Sequence, residues 1–266
     1  SAKAAVDIAL WDLFGQFYKA PIYKLLGGRR KTITTDITIS VNEPEEMARD
    51  SIEAVKRGYD TLKIKVGKDS KKDIARLKAI RKAIGNDINI RIDANQGWKP
   101  KEAVYILRKI EDEDIGIELV EQPVIAHNLE GLKFVKNNIS IPVLADESVF
   151  SPVDALKIME IGAADLINIK LMKTGGIYSA LKICSIAELF GVECMIGCML
   201  EAKVSVNAAV HLACGKDVIT KVDLDGPSLC REDPIIGGSI FNEKNIVVSE
   251  EPGLGIKGIE KITYLD

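Results

Sequence analysis

Histidine is nearly missing from this 266-residue chain, which carries only His127 and His211. So few imidazoles argue against a histidine-based metal site or a histidine-driven triad. Cysteine is sparse too. Cys184, Cys194, Cys198, Cys214 and Cys230 are an odd number and include no C-x-x-C pair, which fits free thiols in a reducing cytoplasm. No apolar run reaches membrane-spanning length, and the N-terminus does not read as a signal peptide. There is no basic tract and no basic patch rich in aromatics. With 36 basic against 39 acidic residues, a nucleic-acid partner is not expected. Chemistry in this chain has to rest on carboxylates and amines.

What is present is a regular alternation. Apolar residues make up 47% of the chain, enough for a large core, and α/β barrels commonly run to this length. β-Branched runs at roughly 33–41, 61–66, 88–93, 117–121, 142–146, 165–170, 193–197 and 220–224 predict strands. Amphipathic stretches at 44–57, 70–84, 100–113, 128–137, 151–161, 176–190 and 203–214 predict helices between them. Pro44, Pro100 and Pro152 sit near helix starts, with Asn42 and Ser151 as candidate caps. Strands and helices in strict alternation imply a parallel sheet.

The strand ends carry the sharper signal. In TLKIKVG (61–67), Leu62, Ile64 and Val66 share one face, while Lys63 and Lys65 share the other. Lys65, Asp93, Glu121, Asp146 and Lys170 follow one another at 28, 28, 25 and 24 residues, and 53 more lead to Asp223. One βα unit of a barrel has about this length, so each charge falls at the same point of successive units. The C-terminal ends of barrel strands converge on one mouth, where such folds place their chemistry. Lys63 and Lys65 are therefore expected to face the interior near that mouth. Isolated charges there would each cost several kcal/mol, so opposite charges or a metal must gather beside them.

Asp93, Glu121 and Asp146 offer oxygen ligands alone, a set that selects Mg²⁺, with Mn²⁺ as a substitute. Lys65 and Lys170 lie on the second and sixth strands, so a substrate between them would present one face to each amine. A cation at a substrate carboxylate together with flanking amines suits removal of the adjacent α-proton. Lys63 reads as a tuning or substrate-binding charge.

The motifs TLKIK (61–65), RIDANQGW (91–98), VEQPV (120–124), LADES (144–148) and NIKLMKTGG (168–176) resemble those of the enolase superfamily, muconate-lactonizing subgroup. The resemblance runs over essentially the whole chain. It implies a TIM-like parallel (β/α) barrel of the modified (β/α)7β kind, with Mg²⁺ on Asp93, Glu121 and Asp146 and an acid/base pair of Lys65 and Lys170. MIGCMLE (195–201) followed by DLDGP (223–227) is most similar to dipeptide epimerases of the alanyl-glutamate type. In that reading Asp223 and Asp225 hold the substrate ammonium. Ala202 stands where relatives often carry Ser. Other activities of the subgroup remain open: o-succinylbenzoate synthase, acylamino-acid racemase and muconate cycloisomerase. A metal-free Schiff-base aldolase using Lys170 and a non-catalytic barrel are the readings from other classes.

The opening helix, ALWDLFGQFYKAPIYKLLGG, resembles the segment that joins this family's N-terminal capping domain to its barrel. The capping domain itself is expected to be missing from this chain, and the methionine-free start suggests that an upstream segment has been lost or lies elsewhere. EEPGLGI (250–256) resembles the family's tail. The expected organisation is a barrel with its leading helix over 1–233 and a segment over 234–266 that packs toward the cap. The expected form is a cytoplasmic homo-oligomer acting on a small molecule, a dipeptide. Glu147 reads as supporting or structural, and Trp11, Trp98 and the cysteines as packing residues. Lys173 and Glu201 are further candidates for the mouth.

Overall fold

The computed structural model of the chain describes residues 1–260. The last six residues of the expected 234–266 segment lie outside the described residues. Eight strands enter one sheet in the order in which they occur in the chain: β1 (Ile37–Ile39), β2 (Thr61–Lys65), β3 (Asn89–Asp93), β4 (Ile117–Glu121), β5 (Val143–Ala145), β6 (Leu166–Lys170), β7 (Glu193–Gly197) and β8 (Ile219–Asp223). Helices separate them throughout, as the alternation requires. Among the described residues, no helix is long and apolar enough to cross a membrane.

The chain divides into two compact units. One comprises Asp36–Asn168 with Ile186–Cys194. Its strand pairs are parallel, and their register sets the site: Lys65 is level with Asp93, Asp93 with Glu121, and Glu121 with Leu144. Because side chains alternate along a strand, Lys63, Lys65, Arg91 and Asp93 occupy one face. Leu62, Ile64, Ile90 and Ile92 take the other, and all four are fully buried. Each such burial contributes about 1.5–3 kcal/mol. The intervening helices bury Met47, Leu77, Ile80, Ile106 and Ile110. Pro44, Pro100 and Pro152 do open helices, where a missing N–H costs nothing. Ser151 caps its helix by accepting from the Asp154 N–H. Asn42 does not cap. The helix begins one residue later, behind Glu43, and Asn42 Oδ1 accepts from the Glu43 N–H instead.

The other unit comprises Ser1–Thr35, Ile169–Ser185 and the chain from Met195 onward. The opening helix, Ala2–Phe17, is tied to the EEPGLGI segment. Asp12 Oδ1 accepts from the Leu254 N–H at 2.7 Å, and the Gly253 N–H donates to the Ala20 carbonyl at 3.0 Å. Gly253 has φ +67°, and a Cβ there would strike Asp12. Glu250 accepts from Tyr23 Oη (2.7 Å) and Lys24 Nζ (2.5 Å) and pairs with Lys31 (3.0 Å). Thus EEPGLGI packs on the chain's own leading helix. His211 is fully buried on the helix Lys203–Gly215, where its Nδ1 accepts from the Tyr23 N–H at 3.2 Å.

The single strand expected over 33–41 is two. Thr32–Thr34 pairs antiparallel with Asn245–Val247, and β1 begins only after Thr35 and Asp36. The break follows from local bonding: the Thr35 N–H goes to the Lys244 carbonyl, while Asp36 is taken by Arg91.

Candidate active site

Four of the expected site residues meet within the unit that holds β1 to β5. Lys63 Nζ lies 3.1 Å from Asp93 Oδ2 and 2.8 Å from Glu121 Oε2. Lys65 Nζ reaches Asp93 Oδ2 at 2.7 Å and Asn95 Oδ1 at 2.9 Å. Asp93, Glu121 and Lys63 are buried, whereas the Lys65 side chain stays 29% exposed, so of the two lysines it is the one a substrate can reach. One layer below, Arg91 donates to Asp36 (2.8 Å) and Glu118 (2.6 Å). Burial works against its charge, but those two carboxylates outweigh it and raise its pKa. Burial likewise pushes the Asp93 carboxyl up. The Lys63 and Lys65 ammonium groups, with hydrogen bonds from Lys65 and the Asn95 N–H, reverse the sign and hold it below the usual carboxylate range. These interior charges are thus mutually compensated, as their shared strand face requires.

Asp146 is buried just beyond β5. Its N–H donates to Gln122 Oε1 at 2.9 Å, as does the Ser148 N–H at 3.2 Å, while Gln122 Nε2 donates to the Val124 carbonyl and to Ser148 Oγ. Gln122 therefore ties the end of β4 to the loop that carries Asp146. Asn168 on β6 donates to Glu121 Oε1 at 2.7 Å. Gln122 and Asn95 lie in the motifs VEQPV and RIDANQGW, but the sequence assigns neither of them a role. Both have positive φ, +36° and +40°, as does Gln96 at +68°. Non-glycine residues held in that region cluster at functional sites, and here they follow the ends of β3 and β4.

Among the described residues, no three His, Cys, Asp or Glu side chains are grouped as a metal cage. The Lys63 ammonium instead lies between the two carboxylates that the register sets level. The donor chemistry nevertheless fits a hard divalent cation: three buried carboxylates at successive strand ends, in a setting that already draws in positive charge.

The remaining expected residues belong to the other unit. Lys170 ends β6 and is buried. Asp223 ends β8 and Asp225 follows two residues on, ahead of the turn Gly226–Leu229; both are buried. They converge on Cys198. Burial first, and then the negative charges of Asp223 and Asp225, push its thiol well above the ordinary value. Lys173 is buried. Glu201 serves its own loop, accepting from the Met199 N–H at 2.9 Å and from Ser205 Oγ. Trp98 and three of the cysteines are buried as expected, but Cys230 is exposed.

The arrangement can be set beside known proteins. Residues 46–262 match the family described as enolase C-terminal domain-like. The chain belongs to the enolase superfamily. Residues 1–27 match the N-terminal domain of the mandelate racemase and muconate lactonizing enzymes, so both matches fall within one group of that superfamily. The L-Ala-D/L-Glu epimerase of Clostridium acetobutylicum is 68% identical, over 97% of this chain and 72% of that protein. A solved substrate-liganded complex of the L-Ala-D/L-Glu epimerase from Bacillus subtilis superposes with a TM-score of 0.96 at 52% identity, covering 97% of this chain and 72% of that one. The dipeptide epimerase of Enterococcus faecalis V583, solved with Mg and the dipeptide L-Leu-L-Tyr, gives 0.94 at 49% identity, covering 97% and 73%. The expected enolase-type parallel barrel is thereby borne out.

Proposed function

We infer that this chain is a dipeptide epimerase, an isomerase that removes the α-proton next to a substrate carboxylate and adds a proton to the opposite face. The observation that carries the reading is the level row of Lys65, Asp93 and Glu121, with Lys63 held between the two acids. The alanyl-glutamate and other dipeptide epimerases to which the chain is similar support the substrate class. Removing such a proton leaves an enediolate, and the barrier lies in the charge that develops on the carboxylate oxygens. Asp93, Glu121 and Asp146 would hold Mg²⁺, for which Mn²⁺ would substitute, and the bound ion would neutralise that charge. Lys65 takes the proton from one face and Lys170 supplies one to the other; in the reverse direction they exchange roles. Asp223 and Asp225 accept hydrogen bonds from the ammonium of the N-terminal residue. Lys63 favours the ionised form of Asp93 and holds both Asp93 and Glu121 in place.

The same proposal takes the working form to be a cytoplasmic homo-oligomer. Five free thiols fit a reducing compartment, and the exposed Val6, Leu10, Leu13 and Phe17 of the opening helix give an apolar surface suited to association. Light scattering on purified protein tests the assembly. The function is tested by following α-proton exchange and inversion of alanyl-glutamate and of apolar dipeptides in D₂O with Mg²⁺. Inversion of free dipeptides is the expected result. Turnover confined to N-acylated amino acids would replace this reading with an acylamino-acid racemase.

A further inference from the structure

A lysine amine that moves a proton must be aimed as well as charged. Lys65 is a long, rotatable side chain whose Nζ is fixed by two acceptors, Asp93 Oδ2 at 2.7 Å and Asn95 Oδ1 at 2.9 Å. Two occupied N–H directions leave the third direction of the nitrogen pointing away from both acceptors. Asn95 is in turn held from its other end: its Nδ2 donates to Glu147 Oε1 at 3.1 Å, and its own N–H donates to Asp93 Oδ1 at 2.9 Å. Hydrogen-bond polarity allows only one orientation of this amide. An ammonium only donates and a carboxylate only accepts, so Oδ1 must face Lys65 and Nδ2 must face Glu147.

The local structure bears two costs around this one chain of bonds. Asn95 has φ +40°, which is strained for most residues and tolerated by asparagine. Glu147 Oε2 is buried with no hydrogen-bond partner, an arrangement that a fold ordinarily avoids. Costs that converge on a single side-chain orientation point to a working requirement.

We propose that Asn95 and Glu147 are positioning residues that aim the Lys65 amine at one face of the substrate. The inference rests on the reading of Lys65 as an acid/base group. It predicts a one-sided defect, because Lys65 serves one epimer and Lys170 the other. The measurement is NMR-detected α-proton exchange in D₂O, made separately on L-Ala-D-Glu and L-Ala-L-Glu with Mg²⁺, together with KM for each. The variants are Asn95→Gly, Asn95→Asp, the double variant Asn95→Asp/Glu147→Gln, and Lys65→Ala. Glycine adopts the +40° backbone without strain, and aspartate tolerates it, so each Asn95 variant keeps the turn.

Asn95→Gly should slow exchange of one epimer by about tenfold to 100-fold, the scale of a small misplacement of a reacting group, with KM little changed. That epimer should be the one silenced in Lys65→Ala. Asn95→Asp keeps an acceptor for Lys65 but sets two carboxylates against each other, so it should show the same one-sided loss. Adding Glu147→Gln restores a donor opposite the new carboxylate and should recover the exchange. Equal loss on both epimers, or no loss, in Asn95→Gly beside a one-sided Lys65→Ala would overturn the role of Asn95 and leave Lys65 in place. Failure of the double variant to recover would remove Glu147 from the proposal. A Lys65→Ala enzyme that affects both epimers alike, or neither, would overturn the reading of Lys65 and the positioning role with it.

Discussion

His211 gives a stability experiment whose sign and size follow from its surroundings. The imidazole is fully buried, and burial depresses its pKa from 6.5 to about 4, against a smaller opposing effect from the Leu254 backbone. Its Nδ1 accepts from the Tyr23 N–H, a bond that only the unprotonated nitrogen can make. The folded state therefore holds histidine neutral, while the unfolded chain protonates it near its ordinary value. The resulting stabilisation is fully present above pH 6.5 and is lost as the pH falls toward 4. Each pKa unit corresponds to about 1.4 kcal/mol, so lowering the pH from 7 to 4.5 should remove about 2.5 kcal/mol through this group alone. His211→Asn keeps an acceptor near the position of Nδ1 and deletes the titration. Urea unfolding at pH 7 and 4.5 measures both proteins, and the difference between their pH-dependent losses isolates His211 from the carboxylates that titrate in both. Wild type should lose about 2.5 kcal/mol more than the variant. Equal losses would refute the argument that the buried neutral imidazole resists acid.

Three further outcomes follow from the structure. EDTA should abolish epimerisation, Mg²⁺ should restore it, and Mg²⁺ should also raise Tm; a chelator-treated enzyme at full activity would contradict the carboxylate site. Asp225→Asn should lower kcat/KM on free dipeptides by about 1.5–3 kcal/mol, the scale of a hydrogen bond to a charged group, and N-acetylation of the substrate should do comparable harm. A preference for the acetylated substrate would defeat the role given to Asp223 and Asp225. Gly253→Ala should cost about 1–3 kcal/mol in thermal or chemical unfolding, because φ is +67° and the new methyl would strike Asp12. An unchanged Tm would mean that the tie between the opening helix and EEPGLGI yields easily.

The repeat spacing of Lys65, Asp93, Glu121 and Asp146 was enough to read the barrel and the row of charges, because one strand and one helix consume a nearly constant length of chain. Partners within that row were not legible. Lys63 reads equally well as a tuning charge or a substrate ligand until the register sets Asp93 level with Glu121. Asn95 and Gln122 look like ordinary loop polars, and only their backbone dihedrals and bonding mark them. The split of 33–41 is not legible in the sequence, because β-branched residues run almost unbroken across it and a strand can leave its partners without any change in composition. The short antiparallel strands after residue 234 have three or four residues each, too few for alternation to show.

The ammonium of Lys63 between Asp93 and Glu121 also bears on the order in which a working molecule is assembled. Many metal sites are clusters of like charge that stay open, or leave the chain unfolded, until the cation arrives. Here the neutralising charge is covalently part of the chain and arrives with the second strand. With that charge in place the scaffold can close around its own counter-ion, and a cation held by Asp93, Glu121 and Asp146, as proposed above, would enter a site whose walls are already set.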